Sequence, residues 1–252
     1  MKPLFDLHTH TISGGHAYST LKENIEGAKE RGLAVMGFSD HAPFMEDAPH
    51  PFYFANFKVI REYLLGVRIL KGIEANILDF EGSTDVDDAM GKKLDYVIAS
   101  LHPPCIVPGT AEENTRALVG AMRNPFVKII GHPDDDRYPL DYEELVAAAK
   151  REEVALELNN SSFRPGCGRQ NGRKNARILL NLCRIHNTPV IMGSDAHIWY
   201  DVGELSLCEE LLDETDFPRE LVLNYRMEGL EFVLKEGVPL PDCEKLLCAS
   251  EK

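Results

Sequence analysis

The chain has 252 residues, 44% of them apolar and 27% charged, which suits one large α/β domain better than two small ones. Its formal net charge of -14 argues against a surface that grips nucleic-acid backbone nonspecifically, since that task needs clustered Lys and Arg. No apolar run approaches the roughly 18 residues of a membrane span, and none of the six cysteines forms a C-x-x-C pair.

The predicted elements alternate, strand then helix, from one end of the chain to the other. Pro3-Leu4-Phe5 opens a first strand over 4–8, which leaves no room for a signal peptide and gives a cytoplasmic expectation. In that setting Cys105, Cys167, Cys183, Cys208, Cys243 and Cys248 read as reduced thiols, mostly packed in the fold. An amphipathic helix over 20–31 leads to a second strand at 34–39, and further strands follow at 67–73, 95–101, 127–131, 154–159 and 189–194. Each is a short run rich in Val, Ile and Leu, the pattern of a strand covered on both faces. Helical segments at 111–123, 141–152 and 172–186 carry apolar residues at three- and four-residue spacing. Strand ends about 30 residues apart mark βαβ units. Seven of them predict a closed or nearly closed parallel barrel ringed by helices, with its active site at the C-terminal ends of the strands. No stretch reads as a linker, so residues 1–252 are expected to form one domain, and no Gly-rich phosphate loop follows any strand.

What stands at the C-terminal end of each strand is more specific. The first is followed by His8, His10 and His16, the second by Asp40 and His41, and the third by Glu74. The fourth runs into His102, the fifth into His132, the sixth into Asn159 and Asn160, and the seventh into Asp195 and His197. Seven of the nine histidines thus fall on one rim; only His50 and His186 lie elsewhere. Histidines placed for packing alone would be scattered over both rims and the helices. His8 and His10 are two apart, so their side chains share a face, and Asp195 with His197 repeats the pattern. Imidazoles with Glu74 and Asp195, and no thiolate, suit a catalytic zinc, manganese or iron set. They are too many for one four-coordinate ion and suit two or three ions with a bridging carboxylate.

The order D-x-H-x-H, G-H, S-D-H, a strand-end Glu, two more strand-end histidines and a closing G-S-D-x-H resembles the PHP (polymerase and histidinol phosphatase) family. Within it, the chain resembles the short stand-alone bacterial phosphatases with a trinuclear zinc site. The resemblance runs from Asp6 to about residue 235 and implies a distorted (βα)7, TIM-like barrel. It implies a first metal on His8, His10, Glu74 and Asp195, and a second on Glu74, His102 and His132. The third falls to His16, His41 and His197. It further implies hydrolysis of a small phosphomonoester by hydroxide held between metal ions, with Glu74 and Asp195 as the catalytic carboxylates. The expected cofactor is zinc, three ions, with manganese or iron as substitutes. The expected partner is a small phosphorylated metabolite, without nucleic acid or membrane, and homo-oligomerisation stays open.

Three alternatives stand beside this reading. One is a phosphodiesterase or nuclease of the same family, against which the acidic charge counts. A second is an amidohydrolase-type enzyme, which usually bridges its metals with a modified lysine where this chain has His102. The third is a metal-binding module without catalysis, although no ligand position is empty. Other residues carry weaker signals. Asp6 either orients a ligand imidazole or satisfies backbone groups. His186, at a helix end, is expected on the last carbonyls. His50 belongs to an aromatic loop expected to pack on the barrel. Asp134, Asp135 and Asp136 read as a solvated acidic loop. Arg164, Arg169 and Arg173 lie in the most basic rim segment and are candidates to grip a second phosphate or the substrate's distal charge.

Overall fold

The computed structural model describes residues 1–242; Cys243 and Cys248 lie outside the described residues. The described residues form nine strands and eight α-helices. The strands are β1 (Phe5–Asp6), β2 (Val35–Phe38), β3 (Tyr63–Leu64), β4 (Val67–Lys71), β5 (Glu74–Asn76), β6 (Val97–Ser100), β7 (Val127–Ile130), β8 (Ala155–Asn159) and β9 (Val190–Gly193). The helices are α1 (Leu21–Arg31), α2 (Pro51–Ala55), α3 (Asp88–Gly91), α4 (Ala111–Met122), α5 (Tyr142–Glu152), α6 (Gly172–His186), α7 (Ser206–Glu214) and α8 (Gly229–Val233). The four helices expected from periodicity are α1, α4, α5 and α6. Two of them begin at a capping box, Thr20 with Glu23 and Thr110 with Glu113, which satisfies amide groups that the first turn leaves unpaired. Among the described residues, no helix is long and apolar enough to cross a membrane.

The strands form two sheets, β1-β2-β4-β3 and β5-β6-β7-β8-β9, parallel throughout except where β3 returns antiparallel along β4. The run expected as one strand over 67–73 is divided. β4 pairs with β2, the chain passes through Gly72 and Ile73, and β5 pairs with β6. Tyr96 accounts for the close passage here. Its ring fills the space beside Gly37 and Gly72, where any side chain would overlap it, and its hydroxyl donates to the carbonyl of Leu7 at 2.5 Å. The two sheets meet at isolated parallel bridges, Thr9 with Ala196 and His41 with Glu74.

Burial alternates along the strands because successive side chains face opposite ways. Phe5, Leu7, Val35, Leu70, Tyr96, Ile98, Ile129, Ala155 and Ile191 pack as one buried cluster drawn from both sheets, joined by Leu230 and Val233 of α8. Intervening residues such as Met36, Ile69, Val97, Leu156 and Met192 pack in a second cluster with Ile25, Leu118, Leu145 and Leu179 of the helices. Each fully buried side chain of this size contributes about 1.5–3 kcal/mol relative to exposure. This apolar interior ends where the strands end, and the next inward positions are polar.

Candidate metal centre

The bridges that join the sheets also carry the candidate ligands. His10 donates its amide to Ala196 O at 2.8 Å, and Ala196 donates to His8 O at 3.3 Å. Across the other junction, Ala42 donates to Glu74 O at 2.8 Å and Glu74 to Asp40 O at 3.2 Å. Backbone pairing thus brings His8, His10, His41, Glu74 and Asp195 together from distant parts of the chain.

Glu74 lies at the middle, buried, with its two oxygens turned to different neighbours. Oε1 stands 3.1 Å from His102 Nε2 and 3.0 Å from His132 Nε2. Oε2 stands 3.3 Å from His8 Nε2, 3.5 Å from His10 Nε2 and 3.0 Å from His41 Nδ1. Asp195 divides its oxygens similarly. Oδ1 faces His10 Nε2 at 3.2 Å and His8 Nε2 at 3.6 Å, whereas Oδ2 accepts from Arg169 Nη2 at 2.7 Å. Arg169 Nη1 also donates to Asn159 Oδ1 at 3.0 Å. His16 and His197 bring their Nε2 atoms to 2.8 Å, and the His16 ring lies 5.1 Å from that of His41.

Four buried nitrogens here, His8 Nε2, both of His10 and Nδ1 of His41, make no hydrogen bond. Polar atoms at such depth normally have a partner, because leaving one unmade costs about 1–3 kcal/mol. Unpartnered imidazole nitrogens converging on the carboxylates of Glu74 and Asp195 fit divalent metal ions of the zinc type. Three sets lie close enough to share an ion: His8, His10 and Glu74; His41, Glu74 and His102; and His10, His41 and His197.

Electrostatics agree with this fit. Burial alone would raise the Glu74 carboxyl, but the facing imidazoles of His8, His102 and His41 hold it well below the usual range. Burial drives His10 well below its ordinary value and His102 down to about 4, so both are neutral and ready to donate a lone pair. For His8, burial is outweighed by Glu157, Glu74 and Asp195, and its affinity for a proton rises well above normal. The carboxylates thus favour positive charge at this point.

Backbone conformation is unusual at two of these positions. His132 has φ 30° and Asp195 has φ 54°, left-handed values tolerated by few residue types. Such geometry collects at functional sites and persists where neighbours hold it in place. The His132 amide donates to Glu157 Oε2 at 2.7 Å, and Arg169 and Asn159 hold the Asp195 carboxylate.

The sequence model of the family described as PHP domain matches residues 6–161. The chain belongs to the PHP family. A probable phosphatase of Clostridium novyi is 44% identical over 242 residues, covering 96% of this chain and 98% of that one. Another, of Caldanaerobacter subterraneus, is also 44% identical and covers 94% of this chain and 92% of its own. Among solved structures, the histidinol phosphate phosphatase of Lactococcus lactis, complexed with zinc, L-histidinol and phosphate, has the same fold. Its TM-score is 0.58 at 21% identity, over 86% of this chain and 95% of that one.

Of the three arginines singled out in this PHP chain, the structure brings two to the centre. Arg169 lines the cavity above the cluster, and Arg164, paired with Asp201 at 2.5 Å, lines a second cavity beside it. Arg173 instead pairs with Glu214 at 2.6 Å on the outer face of α6. The acidic run is not solvated: Asp134 and Asp135 are buried because their loop folds under residues 169–175. Asp135 pairs with Arg137 and accepts from the Gln170 amide, and burial pushes the Asp134 carboxyl up to about 6.

Asp6 satisfies backbone groups, accepting from the amides of His8, Ser194 and Gly203. His186 bonds Glu143 of the neighbouring helix at 2.8 Å, in place of the expected carbonyls. His50 caps α2, whose Phe54 packs into the core while Phe52 is exposed. Lys92 and Lys93, the lysines nearest the position where an amidohydrolase-type site would carry its modified lysine, are exposed beyond α3, and among the described residues no lysine lines the cavity above the cluster. Cys105, Cys167, Cys183 and Cys208 are free thiols.

Sequence reasoning missed the residues that buttress the ligands. Glu157 Oε1 bonds His8 Nδ1 at 2.7 Å, Asn76 Oδ1 bonds His102 Nδ1 at 2.7 Å, and Asp47 Oδ2 bonds His16 Nδ1 at 2.5 Å. Such partners fix ring orientation and leave the far nitrogen free for a metal. Glu157 was detectable as a carboxylate inside an otherwise apolar strand. Asn76 and Asp47 gave no comparable signal.

Proposed function

We propose that this PHP-family protein is a metal-dependent phosphatase of small phosphomonoesters. The observation that carries this reading is the convergence on Glu74 Oε2 of three buried imidazole nitrogens, His8 Nε2, His10 Nε2 and His41 Nδ1, that have no hydrogen-bond partner. The relatives named probable phosphatases, each covered almost end to end, support it. We read the two bridged sheets as one distorted (βα)7 barrel, with residues 1–252 as a single domain acting in the cytoplasm.

His8, His10, Glu74 and Asp195 would hold one ion, and Glu74, His102 and His132 a second. His16, His41 and His197 would hold a third, with zinc the expected metal and manganese or iron able to replace it. These residues would thereby supply the chemistry of bound divalent ions, which is to polarise phosphate oxygens and to lower the pKa of water for attack on the ester. The chain does the positioning. Glu74 offers one oxygen to each of two ligand groups, and Arg169 holds Asp195 Oδ2 so that Oδ1 stays turned to His8 and His10. Glu157 keeps His8 Nε2 pointed inward. The cavity above the cluster, about 450 Å³ and walled by Met45, Glu46, Asp47, Pro103, Pro104 and Arg169, has room for a metabolite-sized ester.

Release of p-nitrophenol from p-nitrophenyl phosphate and from bis-p-nitrophenyl phosphate, by zinc- or manganese-loaded protein, tests the proposal. Monoester hydrolysis that stops on chelation supports it. Cleavage of the diester alone would move the enzyme to the diesterases, and inactivity on both by metal-loaded protein would favour a non-catalytic module.

A further inference from the structure

The metal centre opens in two directions with opposite chemistry. Away from the cluster, the wall of the first cavity formed by Met45, Glu46, Asp47, Pro103 and Pro104 is apolar and acidic, and Glu46 is exposed with no ion pair among the described residues. A second cavity of about 640 Å³ meets the first over His16, Arg169, Asp195 and His197. It is walled by Arg137, Arg164 and the 165–168 loop. Within that loop, Gly166 and Gly168 face open space, and Gly166 takes φ 81°, so the backbone here is uncovered.

The arginines retain donors. A guanidinium carries five N–H groups. Arg164 spends one nitrogen, Nη1, on Asp201, and Arg137 spends Nε and Nη2 on Asp135. Their other nitrogens have no acceptor among the described residues, and both side chains are about one-third exposed, 31% for Arg164 and 33% for Arg137. The aspartates hold the two side chains in place, so little side-chain entropy remains to be lost when an anion arrives. A monoester with an uncharged alcohol has no use for such an arm.

Resting on the phosphatase reading, we propose that the arm walled by Arg137 and Arg164 binds a second anionic group on the substrate. The preferred substrates would be phosphomonoesters whose alcohol carries a carboxylate or a second phosphate. Charge-assisted hydrogen bonds from both arginines would select these over neutral-tailed esters. Arg173 takes no part, since it lies on the outer face of α6 paired with Glu214.

The test measures kcat/KM of the metal-loaded enzyme on alkyl phosphates of three to six carbons ending in methyl, carboxylate or phosphate. At the best length, an anionic end should raise kcat/KM at least about tenfold over methyl. Whether carboxylate or phosphate gains more identifies the group. In Arg164→Gln and in Arg137→Gln the ratio of anionic-tailed to methyl-tailed kcat/KM should fall toward one. A ratio within one sample is insensitive to partial misfolding, and two variants guard against the loss of either. Equal rates for all three ends at every length, or ratios untouched by both substitutions, would overturn the arm while leaving the phosphatase intact. Hydrolysis of none of the series would overturn the phosphatase reading, and the arm with it.

Discussion

The candidate cluster has a rigid half and a soft half. His8, His10, His102, His132, Glu74 and Asp195 are buried at strand ends or on bridges between the sheets. The buried Glu157, Asn76 and Asn159 and the partly buried Arg169 hold four of the six, His8, His102, His132 and Asp195. His16 stands apart. It follows Gly14 and Gly15, its side chain is 46% exposed, and its partner Asp47 is 35% exposed. His197 is intermediate, with 29% side-chain exposure. A metal bound by the first group meets buried donors in a low-dielectric interior, whereas one bound through His16 sits among half-exposed donors where water competes for it, which costs affinity. The two ions on Glu74 should therefore bind more tightly than the third.

Removing the shared carboxylate breaks the comparison most severely. Glu74→Gln should lower turnover more than about a hundredfold and reduce metal content, because it disturbs both buried ions together. Full activity in this variant would rule out the shared-carboxylate arrangement. Next in size is Glu157→Gln, which loses the charge facing His8 and one of the two acceptors serving His8, the His132 amide and Asn159. Its metal affinity, read by chelator competition, should fall about 10–100-fold. Affinity equal to wild type would show that Glu157 serves packing only. His16→Ala should cost one ion per chain by elemental analysis and leave the buried two in place. Loss of all three would erase the distinction between the halves. The smallest effect belongs to His186→Ala, whose surface bond to Glu143 is far from the cluster. Metal content should stay the same and stability should change by less than about 0.5 kcal/mol.

How much of this was legible in the sequence differs between the halves for the same physical reason. A strand fixes where its side chains point. His8 with His10, and each residue closing a Val- and Ile-rich run, could therefore be assigned to one rim before any contact was known. The four long helices were equally plain, from the three- and four-residue spacing of their apolar residues. The division at Gly72 was not, because it depends on the Tyr96 ring, distant in sequence. Loop residues were opaque too. Three consecutive aspartates look solvated until residues 169–175 are seen folded over them, and Asp47 becomes a partner only where two loops happen to meet. Short elements such as β3, α2 and α8 lack the length for a periodic signal. Glu157 is the instructive miss. Its register with Asn159 placed it on the inward face, and a carboxylate buried there needs a cation or donors nearby.

The central claim is that hydrolysis depends on metal ions gathered around Glu74, with two held firmly and one loosely. The most direct measurement follows p-nitrophenyl phosphate hydrolysis and zinc per chain in the same sample during stepwise chelation. The account predicts three ions at the start, one leaving well before the other two, and no turnover once the last pair is gone. Undiminished hydrolysis by metal-free protein, or three ions leaving in a single step, would contradict it.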